Sequence, residues 1–148
     1  MEIQTVKESE GGYIINGTIS VPNASGNRHY KAVQEWIAEG NTPEPEFTPD
    51  QVKNKKRNKA RTSLDSQLKQ MVYVISPGKV LQTRPQDYLN ITLALEYLKL
   101  TGEPSVDFVM ADNTVSPVTA AELSAALRDT VVLGKGLWQE YTNFIKRL

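Results

Sequence analysis

Two prolines one residue apart, Pro43 and Pro45, set the strongest limit on how this chain can fold. Each lacks a backbone N–H and holds φ near about −65°, so neither a helix nor a central strand can run through Thr42-Pro43-Glu44-Pro45-Glu46-Phe47. The favoured path there is extended and polyproline-like. Residues 42–48 therefore read as a linker between a short module, 1–41, and a longer one, 49–148. The full length of 148 residues suits one domain or two very small ones.

The short module begins with β-forming sequence. Glu2–Lys7 and Tyr13–Val21 read as two strands, with Ser9-Glu10-Gly11-Gly12 as the turn between them. Pro22 ends the second strand, and Asn23-Ala24-Ser25-Gly26 is a loop. Asn27 then caps a helix running to about Glu39, stopped by Gly40-Asn41. Tyr30, Val33, Trp36 and Ile37 lie on one face of that helix. A lone hairpin is marginal in water, so the helix is its natural lid.

The longer module reads as helical. Thr48 caps, Pro49 takes the first helical position and Gln51 completes a capping box. The spacing predicts a helix from there to Ile75, stopped by Ser76-Pro77-Gly78. Its first half is polar and basic, and its second carries Leu64, Leu68, Met71, Val72 and Ile75. Pro85-Gln86-Asp87-Tyr88 opens another helix ending at Thr101-Gly102. That segment is apolar nearly all round, which predicts the most buried helix of the chain. Residues 106–110 suggest a short strand, Asp112-Asn113 a turn, and Thr119-Ala120-Ala121-Glu122 a second capping box. The last helix carries Leu123, Leu127, Val131, Gly134, Leu137, Tyr141, Phe144 and Leu148, close to a heptad seam. Gly134 and Gly136 inside it suggest a close helix–helix approach or a kink. The fold class is thus α+β: a β-hairpin plus helix module, then a mainly α-helical domain of about three helices.

Composition narrows the chemistry. The sequence has no cysteine and one histidine, which excludes disulfides, thiolate chemistry and His–His metal sites. His29, beside Arg28, has no evident orienting acid or nucleophile. Asp107 and Asp112 are better explained by a turn and a cap than as an acid–base pair. Gly134-Lys135-Gly136 lies within a helical pattern and is no phosphate loop. Asn16-Gly17-Thr18, Asn23-Ala24-Ser25 and Asn90-Ile91-Thr92 match the glycosylation triplet, but no secretion signal accompanies them. No apolar run approaches about 18 residues, so no transmembrane helix is expected. Together these point to a non-enzyme without cofactor or metal, working through protein contacts.

The zero net charge hides an asymmetry. Residues 1–50 carry eight acids and three bases, residues 51–80 one acid and eight bases, and the remainder eight acids and six bases. The run Lys53, Lys55, Lys56, Arg57, Lys59 and Arg61 could contact phosphates. No aromatic residue interrupts it for base stacking, and an acidic protein surface suits it better than nucleic acid. The residues singled out for partner binding are Tyr30 and Trp36, then Lys55, Lys56 and Arg57, then Leu137, Trp138, Tyr141 and Phe144.

Two segments resemble a known group. Gly26-Asn27-Arg28-His29-Tyr30 through the Trp36 helix to Gly40-Asn41-Thr42-Pro43-Glu44-Pro45 is similar to a stretch of small bacteriophage and prophage tail proteins. Met110-Ala111-Asp112-Asn113 through Val118-Thr119-Ala120-Ala121-Glu122-Leu123, with the helix beyond, resembles the end of a domain of unknown function found in phage tail and tail-fibre-associated proteins. The resemblance implies a tail structural or accessory protein of the tail tip, baseplate or fibre, made in the bacterial cytoplasm and carried in the virion. The alternative it implies is a fibre-assembly chaperone absent from the virion. Expected partners are other tail or fibre proteins and further copies of the chain, as a trimer first and a dimer second; the apolar seam at residues 134–148 is expected to join the copies or to dock on a fibre, and neither nucleic acid nor membrane is expected.

Overall fold

A computed structural model describes residues 2–148. The chain is α+β and divides into two compact units, a first ending at Asn54 and a second covering Lys55–Leu148. The division falls inside a helix, past the two prolines.

The first unit is a three-stranded antiparallel meander of β1 (Val6–Ser9), β2 (Gly12–Ile15) and β3 (Ile19–Pro22), with helix α1 (Arg28–Ala38). Val6, Ile15, Val21 and Val33 form its buried centre, with Tyr13, Tyr30, Trp36 and Ile37 packed around them. Asn27 caps α1 as expected, its side chain accepting from the N–H groups of His29 and Tyr30 at 2.8 and 3.3 Å. The expected two strands are three. Tyr13–Val21 does not run straight, because Asn16 and Gly17 both take positive φ, 49° and 73°. Positive φ at both central residues matches the twist of flanking strands and makes Asn-Gly a hairpin turn.

Asn16 also pins the start of the chain. Its side-chain oxygen accepts from the N–H groups of Gln4 and Thr5, at 2.9 and 3.0 Å, and its amide donates to the Glu2 carbonyl at 3.0 Å. The outer edge of β1 is closed by an unexpected residue. Glu44 has the one N–H available between Pro43 and Pro45. It donates to the Val6 carbonyl while its own carbonyl accepts from the Glu8 N–H, both at 2.8 Å. The result is a parallel bridge opposite Lys7, so the centre of the expected linker belongs to the first sheet.

Helix α2 (Pro49–Lys69) starts with the expected capping box, Thr48 and Gln51 exchanging bonds of 2.8 and 3.2 Å. It ends six residues before Ile75. Val72, Val74 and Ile75 are β-branched and Tyr73 is aromatic, which favours a strand. Pro77-Gly78, with Gly78 at φ 78°, is a hairpin turn rather than a helix stop. Strands β4 (Val72–Ser76) and β5 (Lys79–Gln82) result, with a register shift between Val74 and Ser76. Helix α3 (Tyr88–Thr101) ends on Gly102. Strands β6 (Val106–Val109) and β7 (Val115–Val118) form a hairpin around Asp112-Asn113. Pro117 obscures β7 in the sequence, yet a two-stranded hairpin has free edges where a missing donor is harmless. The two hairpins are tied where the Ala111 N–H donates to the Val80 carbonyl at 2.8 Å.

Helix α4 (Ala120–Lys146) begins with the second expected box, Thr119 and Glu122. Its first half joins Leu81, Ile91, Leu95, Leu98, Met110 and Val118 through Leu123 and Ala126 in the main core. The 88–101 helix, expected to be the most buried of the chain, buries one of its two apolar faces. Ile91, Leu95 and Leu98 are buried, while Leu89, Leu93, Tyr97 and Leu100 face water. Helix α4 does not approach a neighbour closely at its glycines. A Cβ at Gly134 would lie 3.9 Å from the Met71 methyl, and one at Gly136 would meet nothing.

Glycine substitutions should therefore diverge. At Gly12 an added Cβ overlaps the Val21 carbonyl, so Gly12→Ala should break the β2–β3 pairing and cost about 3 kcal/mol or more. Gly136→Ala should stabilise by about 1 kcal/mol through helix propensity. Denaturant titrations of the two variants check both signs. A pH prediction follows from the start of α4. The Glu122 carboxylate is held below its ordinary value, first by the Thr119 backbone N–H and next by Lys79, whose Nζ lies 3.0 Å away. Its contribution is complete above the ordinary glutamate value of 4.5 and fades as pH falls through the lower folded value. Stability of Glu122→Gln should fall less between about pH 5 and pH 3 than that of the unaltered chain.

Candidate functional site

The second half of α4 is served by α2. Leu64, Leu68 and Met71 are buried, and Leu137 and Tyr141 pack on them. Farther along, Phe144 and Leu148 stand beside Lys56, Lys59, Ala60 and Ser63. Rising numbers on one helix meet falling numbers on the other, so the pair is antiparallel. The seam expected to join separate copies through residues 134–148 is thus occupied within the chain at Leu137 and Tyr141. α2 can supply apolar partners only in its second half. On the stripe of Leu64 and Leu68, one and two turns earlier, stand Ala60 and Arg57.

The helix pair opens where its apolar residues run out. A groove of about 460 Å³ is walled by Lys56, Lys59, Ala60, Ser63, Phe144 and Leu148. Its lining is apolar, and Lys56 and Lys59 form part of its wall. Lys55, Lys56 and Arg57 are exposed on the same stretch of α2. The arrangement can hold an apolar side chain and a neighbouring carboxylate together, through burial and charge. Phe144 and Lys56, both singled out from sequence, are thereby brought into one groove. Lys59, Ser63 and Leu148 join them, and nothing in their spacing shows it, because the groove exists only once the two helices pair.

The basic run has a second use. The Arg61 guanidinium lies 5.0 Å from the ring centre of Trp138 and 6.0 Å from that of Tyr141. The two rings meet edge to face at 6.0 Å. Asp65, one turn on, fixes the guanidinium from the side at 3.2 Å. Arg61 is therefore spent inside the chain, and the i,i+4 spacing to Asp65 is its one sequence signal. Trp138 keeps 40% of its surface exposed.

Tyr30 and Trp36 belong to the first unit. They are half-buried there, Tyr30 with its ring 6.2 Å from that of Tyr13. Their packing serves the meander. His29 accepts from the Arg28 Nε at 3.5 Å at the exposed start of α1. Among the described residues, no three histidine or acidic side chains come together to hold a metal ion. No helix of the described residues is long and apolar enough to cross a membrane. No family model, curated protein or solved structure matches the chain.

The Arg61 contact predicts a spectroscopic effect. In a Trp36→Phe background, Arg61→Ala should shift Trp138 emission to the red by uncovering the ring face. It should cost about 0.5–1 kcal/mol of stability. Lys55→Ala in the same background should leave the emission unchanged.

Proposed function

We propose that this chain is a non-enzymatic bacteriophage tail protein, a structural or accessory component of the tail tip, baseplate or fibre. The reading rests on the two segments that resemble tail proteins, residues 26–45 and 110–123 with the helix that follows. One observation of the fold carries the mode of action: apolar surface stands exposed beside a basic helix half, in the groove of Lys56, Lys59, Phe144 and Leu148. That combination suits an acidic, apolar protein surface. A phosphate backbone would call for cations without the apolar lining. The partner is another tail or fibre protein, and further copies of the chain take part in the assembly.

Mass spectrometry of purified virions tests the reading. The chain should be present at a fixed copy number relative to the other tail proteins. Absence from virions, together with fibres that fail to mature without it, would instead mark an assembly chaperone. Reversing Lys55, Lys56 and Arg57 to glutamate should block incorporation while leaving the fold intact by circular dichroism. Tight binding of duplex DNA at about 150 mM salt, with a steep salt dependence, would overturn the protein-partner assignment.

A further inference from the structure

Helix α3 presents two apolar faces and uses one. At about 100° per residue, Ile91, Leu95 and Leu98 occupy the buried side. Leu89, Leu93, Tyr97 and Leu100 occupy an arc of roughly 80° diametrically opposite. The buried three hold α3 against the core of the second unit. The outer four keep 63, 59, 45 and 85% of their surfaces exposed. An apolar stripe three turns long, on the side of a helix away from its own core, has no role within the chain.

We propose that this stripe is the contact between two copies of the chain, packed as an antiparallel α3–α3 pair about a two-fold axis. The inference rests on the exposure of α3 and is independent of the tail-protein reading.

Area is the first argument. The four exposed side chains amount to on the order of 450 Å² of largely apolar surface, comparable to the largest patch on a monomer, which is often functional. Covering it on two copies removes about 900 Å², and the flanking Asn90, Thr92 and Thr101 bring the total past the roughly 1,000 Å² that a specific interface needs.

The pattern is also self-complementary. With the axis near the middle of α3, Leu89 of one copy lies opposite Leu100 of the other, and Leu93 opposite Tyr97. A two-fold contact needs this reciprocity. Charge is consistent with it. The helix carries one acid and one base, Glu96 and Lys99, and these bond to each other at 2.9 Å. The Tyr97 hydroxyl is engaged with Glu103, leaving its ring as the part offered to a partner. Two copies therefore meet without a net like charge on the helix. A membrane-surface helix would flank its apolar stripe with unpaired lysine and arginine, and α3 has none. The antiparallel geometry selects a dimer over the three-fold assembly that the resemblance implies.

Sedimentation velocity of the full chain over a concentration series tests the pairing. A reversible dimer is expected by about 100 μM. Leu93→Arg and Leu100→Arg, both at exposed positions, should each weaken it at least about tenfold with unchanged circular dichroism and melting. The absence of native cysteine makes crosslinking clean. Leu93→Cys combined with Tyr97→Cys should give an oxidised dimer, whereas Leu100→Cys alone should not, because its copies sit roughly 16 Å apart along the pair. Four outcomes would overturn the proposal: a monomer at all concentrations, a trimer, a dimer indifferent to both arginine variants, or efficient crosslinking through Leu100→Cys alone. Binding of the unaltered chain to phosphatidylglycerol vesicles, lost in Leu93→Arg, would assign the stripe to a lipid surface and overturn it as well.

Discussion

The second unit depends on the seam of α4. This helix has 27 residues and is about 40 Å long, and no other element of the unit matches it. Its seam is therefore divided. Leu123 and Ala126 close the core built on α3 and the two hairpins, and Leu137 and Tyr141 close a smaller one against Leu64, Leu68 and Met71. Between the two cores lie Val131, Val132 and Leu133, exposed, and Thr130, which is buried and satisfied by the Ala126 carbonyl at 2.7 Å. Each core is small, and each depends on the same continuous helix to keep its side chains in register. Interruption of α4 between them would separate two contributions that now support each other.

Legibility in the sequence tracked how local the determining physics is. The caps at Asn27, Thr48 and Thr119 were readable because each is decided within four residues. The end of α3 at Gly102 was readable for the same reason. The β4–β5 hairpin was missed although its signal is local, a run of Val72, Val74 and Ile75 with Tyr73 just before Pro77-Gly78. Leu64, Leu68, Met71 and Ile75 also fit a helical stripe, and that longer periodicity was given more weight than the turn. Asn16-Gly17 likewise fits a glycosylation triplet as well as a turn. The groove lay beyond any sequence reading, since it joins Lys56 and Lys59 to Phe144 and Leu148 across more than half the chain. The same holds for Arg61 and Trp138.

The doubly apolar character of α3 is legible in the sequence, but which of its faces the chain covers is not. A helix apolar all round is buried when neighbours stand on both sides. Here the hairpins and α4 all lie on one side. Periodicity records that both faces need cover, but it cannot say whether the same chain supplies it.

The antiparallel pairing of α2 with the end of α4 has a consequence for synthesis. Leu64 and Leu68 are made well before Leu137 and Tyr141. At about 5–20 residues per second, roughly 4 to 15 s separate the two. Throughout that interval the first unit and its meander can already be complete, because their contacts are close in sequence. The apolar stripe of α2 emerges with nothing to cover it. A nascent chain of this design carries a bare, positively charged amphipathic segment until the second half of α4 has been made, and closure is timed by the arrival of that helix.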